Sequence, residues 1–157
     1  MNLRHLATPL LATGLLLSTL GCSKKEEAAP TTMGSYKLDG TTRSCQAKAY
    51  VSSASSGGLA YDYLEVDLTT TPQPTSGAEV LKLYYLKPSG QPTNAYLLSS
   101  LELTAKGGTY SFGNNVSTLN ATISGGFSGT FSATASRTTT APPYTTISDG
   151  VYTDVRP

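Results

Sequence analysis

The clearest hydrophobic pattern is a strict alternation. From Leu59 to Leu68, Ala60, Leu64, Val66 and Leu68 fall on one face, with Asp62 as the exception, while Tyr61, Tyr63, Glu65 and Asp67 fall on the other. From Ala78 to Lys87 the pattern repeats, with Leu81, Leu83 and Tyr85 set against Val80, Lys82, Tyr84 and Leu86. A period of two puts successive side chains on opposite faces of a strand, and no segment sustains the 3.6-residue period of a helix. Paired antiparallel across the Pro-rich loop 69–77, these strands are expected to bring Glu65 opposite Lys82 and Tyr63 opposite Tyr84.

The remaining pattern is also strands and turns. Tyr36–Leu38 leads into Asp39-Gly40, a two-residue hairpin signal. A strand over 41–51, a loop over 52–58 and another loop over 88–94 are predicted. In 95–105, Leu97, Leu101 and Leu103 share one parity, although Leu97, Leu98 and Leu101 also fit a helical turn. A short strand over 109–112, a turn at Gly113-Asn114-Asn115 and a strand over 116–124 follow, with Leu119, Ala121 and Ile123 inward. Gly125-Gly126 turns the chain into 127–138, where Phe127, Phe131, Ala133 and Ala135 share a face. Gly129 among them predicts a bulge or the close approach of another backbone. Ser148-Asp149-Gly150 reads as a second Asp-Gly hairpin. Eight to ten strands without intervening helices predict an all-β fold, an antiparallel sandwich or barrel over residues 35–157.

The first 34 residues follow a different pattern. Arg4 and His5 precede a short leucine-rich run, too short to cross roughly 30 Å of hydrocarbon, that ends in small residues. This is the form of a cleaved signal peptide over 1–21. Leu20-Gly21-Cys22 resembles the lipobox of bacterial lipoproteins, with Thr19 where leucine is usual. The resemblance implies cleavage before Cys22 and acylation of its sulfur. Two or three acyl chains, at about 0.8 kcal/mol per buried CH₂, anchor a chain stably. Residues 22–34 then form a lipidated tether. Within it Lys24, Lys25, Glu26 and Glu27 resemble the export signal that sends Bacteroidota lipoproteins to the outer face of the outer membrane; retention in the periplasmic leaflet is the alternative.

Composition narrows the chemistry. Of eleven Lys+Arg, Arg4 leaves with the signal, so ten remain against ten Asp+Glu. A neutral chain lacks the basic face that nucleic acids need. His5 is the single histidine and also leaves, so neither a histidine-based catalytic triad nor a His-ligated zinc site is expected. The reading is of a protein that is not an enzyme, with no catalytic residue, metal or cofactor. A hydrolase using carboxylates alone is a remote alternative. The two cysteines are Cys22 and Cys45. With Cys22 acylated, Cys45 has no disulfide partner, and its parity with Ala47, Ala49 and Val51 makes it a small buried filler.

Three segments together resemble small Bacteroidota surface lipoproteins of unknown function. Ile123-Ser-Gly-Gly-Phe-Ser-Gly-Thr-Phe-Ser-Ala133 and Thr146-Ile-Ser-Asp-Gly-Val-Tyr-Thr-Asp-Val155 match their closing strands. Tyr36-Lys-Leu-Asp-Gly40 matches their opening, with Tyr36 where tryptophan is common. The resemblance implies a compact β-domain on a lipid anchor and no assigned activity.

The expected role is a surface-displayed binding module; a structural or accessory subunit of an envelope complex is the alternative. Tyr61, Tyr63 and Tyr84 with Glu65 and Asp67 are the candidate ligand platform, because tyrosine offers an apolar ring and a polar tip to a saccharide or peptide. Asp62, Glu65 and Asp67 are not expected to bind calcium, since Asp62 points away from the other two. The membrane is the remaining partner, reached through the acyl chains on Cys22.

Overall fold

The computed structural model describes residues 33–71, 77, 79–105, 108–135 and 144–157. The signal peptide, Cys22 and Lys24 to Glu27 lie outside the described residues. Eight antiparallel strands close into a barrel in sequence order: β1 (Met33–Leu38), β2 (Thr41–Ser56), β3 (Leu59–Thr70), β4 (Val80–Pro88), β5 (Leu97–Ala105), β6 (Gly108–Ala121), β7 (Phe127–Ala135) and β8 (Thr146–Val155). β8 returns to β1, placing Gly34 opposite Tyr152 and Leu38 opposite Ile147. Of the two architectures expected, the barrel is the one formed. Met33 and Gly34, assigned from sequence to the tether, already belong to β1. Met33 and Val155 sit at the same end of the barrel, here termed the base; the opposite end is the crown.

The inward face is continuous across the strands. Ala49, Val66, Leu83, Leu101 and Phe112 align in one row from β2 to β6, and Ala47, Leu68, Leu81, Leu103 and Tyr110 in the next. An eight-stranded barrel is just wide enough for such side chains to fill. Where strands carry small inward residues, rings occupy the space: Tyr36 lies 6.4 Å from Phe131, which lies 6.3 Å from Tyr152. Tyr152 on β8 donates to the hydroxyl of Tyr85 on β4 at 3.1 Å, a bond between opposite walls. Val66, Leu68, Leu81, Leu83, Leu101 and Leu103 are each 0% exposed, so the middle of the barrel is lined by fully buried side chains. Cys45 is a buried free cysteine, and burial pushes its thiol up to about 11.

Several expected boundaries move, each for a local reason. β2 runs on to Ser56 because Gly57-Gly58, at φ 59° and 80°, makes the two-residue turn into β3. The β3–β4 register is offset by two residues: Glu65 pairs with Tyr84, Asp67 with Lys82 and Tyr63 with Leu86. Both strands keep the expected outward face, while the pairing is shifted by two because the length of the connecting loop, not alternation, sets register. In β5 a register shift opposite Tyr84/Tyr85 leaves Leu97 72% exposed and packs Leu98 against the core, with Leu101 and Leu103 inward; the segment is strand, preceded by a 3-10 turn at Thr93–Ala95.

Gly113-Asn114-Asn115 is a bulge inside β6, with Asn114 at φ 44°, and Ile123 lies fully exposed in the turn after that strand. The second Asp-Gly signal is likewise a bulge inside β8. Asp149 takes φ 51°, but Gly150 is there for space: a Cβ on it would collide with the Phe131 ring. Gly129 meets the expected close approach, since a Cβ there would collide with the Thr118 carbonyl and the Tyr152 ring. Asp39-Gly40 is the hairpin expected, at φ 47° and 80°.

Candidate functional site

Three polar constellations deserve comparison, one at each mouth and one outside. At the crown, Glu79 is buried, accepting from Tyr36 Oη at 3.2 Å and from Arg43 Nε at 3.1 and 3.3 Å. At the base, inward Asp62 accepts from Lys87 Nζ at 2.5 Å, from Ser89 at 2.7 Å and from Ser53 at 2.9 Å. Hydrogen bonds from Lys87 and the two serines hold the Asp62 carboxyl down to about 2. Lys87 Nζ also stands 5.2 Å from the centre of the Tyr96 ring. Among the described residues each mouth thus carries an ion pair, Arg43–Glu79 at the crown and Lys87–Asp62 at the base, whose charges are committed to each other.

The outer wall of β2, β3 and β4 differs. Their register places Lys48, Asp67, Lys82 and Glu102 in one row, and Tyr50, Glu65, Tyr84 and Ser100 in the next. Tyr63 lies between Ser52 and Leu86, and Tyr61 between Ala54 and Pro88. The predicted platform of Tyr61, Tyr63, Tyr84, Glu65 and Asp67 is thus brought together on one face, because all five share outward parity. Asp62 points into the barrel instead, as its parity implied. Among the described residues, no group of three or more His, Cys, Asp or Glu is placed to hold a metal ion.

Electrostatics organise this face around one ammonium. Lys82 Nζ lies 2.5 Å from Glu65 Oε1 and 3.5 Å from Asp67 Oδ2. The Glu65 hydrogen bond drives the lysine above its ordinary range. Burial and the neighbouring Glu65 raise the Asp67 carboxyl. One of its oxygens, Oδ1, is buried without a partner among the described residues. Around this triad stand the phenol rings, Tyr50 at 45% and Tyr63 at 38% exposure, the first under Lys48 Nζ at 5.0 Å. The hydroxyls of Tyr50, Tyr61, Tyr63 and Tyr84 make no hydrogen bond to a described residue.

Tyr50 and Lys48 were absent from the sequence-based platform. The signal for them existed: both alternate with inward Ala47 and Ala49. It was obscured by ending that strand at Val51, which hid the pairing of β2 with the whole of β3.

No family model, curated protein or solved structure matches the chain.

Proposed function

We propose that the chain is an outer-membrane lipoprotein, anchored through acyl groups on Cys22 and displayed on the cell surface, whose barrel acts as a binding module and not as an enzyme. The observation that carries the binding assignment is the contrast between inside and outside. Among the described residues the inward side chains are buried and the charges at the mouths are paired, whereas the outer face of β2 to β4 offers aromatic rings whose hydroxyls bond no described residue, around a carboxylate–ammonium cluster. A saccharide or an extended peptide suits that chemistry, because rings stack on apolar faces while hydroxyl and carboxylate oxygens take up polar groups. The entry of β1 at the base, beside the C-terminal strand, is compatible with a chain held from one end.

Two measurements separate the halves of this reading. Cys22→Ser should move the protein from the membrane fraction to a soluble or uncleaved form; membrane retention at mature size contradicts the anchor. Screening the native protein against glycan and peptide arrays should give ligands whose affinity falls about tenfold, equivalent to roughly 1.4 kcal/mol, on Tyr63→Ala or Tyr84→Ala. Ligands indifferent to both substitutions contradict the face.

A further inference from the structure

The up-and-down order of the strands sorts the connections between the two ends of the barrel. The β1–β2, β3–β4, β5–β6 and β7–β8 connections belong to the crown. The β2–β3, β4–β5 and β6–β7 connections belong to the base, where β1 also enters. The two sets differ in charge. Crown connections 39–40, 71–79, 106–107 and 136–145 each carry one charged residue, Asp39, Glu79, Lys106 and Arg137 in turn. Base connections 57–58, 89–96 and 122–126 carry none. The charged side chains beside them are paired with each other, Lys87 with Asp62 at 2.5 Å and Arg156 with Asp154 at 3.0 Å.

Apolar side chains gather at the same neutral end. Ile123, Leu97, Val116 and Leu59 are the four most exposed large apolar residues among those described. Leu59 and Leu97 directly follow the first two base connections, and Ile123 lies within the third; Val116 stands on the wall. The β2–β3 and β6–β7 connections are four strands apart, so these tips are spread round the rim and form no single groove. A bilayer interface suits such a rim. Apolar tips leave water for acyl chains, and no unpaired charge has to be carried toward the hydrocarbon.

We infer that the base of the barrel rests on the bilayer, with Leu59, Leu97 and Ile123 dipping into the lipid interface and the crown pointing away. The inference rests on the proposed acyl anchor at Cys22. The eleven residues 22–32 reach at most about 40 Å when extended, and they join the barrel at Met33, on the base. Three exposed side chains bind weakly alone, but a tether of that length raises their effective concentration at the surface. The tether itself is a poor cover for the tips, since residues 23–32, Ser-Lys-Lys-Glu-Glu-Ala-Ala-Pro-Thr-Thr, include no large apolar side chain. With its charges paired, the base needs no anionic lipid, and the contact should be insensitive to salt.

The chain has no tryptophan, so a single introduced indole reports its own surroundings. The acylated full chain is reconstituted into neutral phosphatidylcholine vesicles with and without bromine on the acyl chains, which quenches indoles that reach the lipid. Leu59→Trp, Leu97→Trp and Ile123→Trp should each lose about half of their emission in the brominated vesicles, at low and high salt alike. Thr109→Trp at the crown and Val116→Trp on the wall, equally tethered, should keep theirs. Intact mass and vesicle flotation of the parent chain test the anchor separately. A floating, acylated chain in which Leu59→Trp and Ile123→Trp are quenched no more than Thr109→Trp overturns the inference and leaves the anchor standing. Blue-shifted emission at these positions without bromine quenching places them against protein, such as a second copy of the chain, and overturns it as well. A parent chain without acyl mass overturns anchor and inference together.

Discussion

Asp62 holds an inward strand position that an aliphatic residue would ordinarily fill, and it is tolerated because Lys87, Ser89 and Ser53 all donate to it. Its carboxyl carbon should titrate in the folded protein near pH 2, and Lys87→Met should move that midpoint up toward the ordinary value of about 3.9. The sign for stability follows from the lowered folded value: the contribution is complete above about pH 4 and is lost as pH falls toward 2. A midpoint unmoved by Lys87→Met contradicts the pairing. The Tyr152–Tyr85 bond makes a second residue-level prediction. Tyr152→Phe leaves a buried hydroxyl on Tyr85 without that donor and should cost about 1–3 kcal/mol in urea unfolding, whereas an exposed phenol such as Tyr50→Phe should cost almost nothing.

At the scale of the strand, two glycine positions separate the hairpin from the bulge. Gly40 completes a turn, while Gly150 lets the Phe131 ring lie against the backbone of β8. Gly150→Ala should therefore destabilise by about 1–3 kcal/mol through overpacking. Trimming the ring should relieve it, so that Gly150→Ala with Phe131→Leu costs less than the two changes summed; additive costs measured by denaturation contradict the close approach. This pair also marks what sequence pattern can and cannot carry. The alternation in β3 and β4 specified which residues face inward, since a half-buried strand has a period of two and nothing else satisfies it. Asp149-Gly150 and Gly113 to Asn115 misled because a residue at positive φ serves a bulge as well as a turn. Local chemistry is the same in both; only the partner strand distinguishes them. The offset between β3 and β4 was hidden for a similar reason, as a shift of two preserves every face. The platform of Tyr61, Tyr63, Tyr84, Glu65 and Asp67 survived that error, because membership depends on parity alone. The expected contact of Lys82 with Glu65 also forms, as a diagonal and not a directly opposed pair, and Tyr50 stands beside Glu65 through the β2–β3 register.

Over the whole molecule, the decisive property is closure with a full interior. β8 pairs with β1, rings and leucines occupy the lumen, and among the described residues each mouth carries an ion pair, so under the proposed binding role the outer wall is the face that meets a ligand. Amides of Leu64, Val66, Leu83 and Leu101 should be among the slowest to exchange with solvent, since their side chains are buried and their strands are paired on both sides. The central claim concerns where a ligand binds, and a backbone amide NMR map of the chain, titrated with a saccharide or peptide recovered from the arrays, tests it most directly. Shifts concentrated at Tyr50, Tyr61, Tyr63, Glu65 and Tyr84 are the predicted result. Shifts centred on the inward residues Leu64, Leu83, Tyr85 and Tyr152, with the outer wall unmoved, would contradict it.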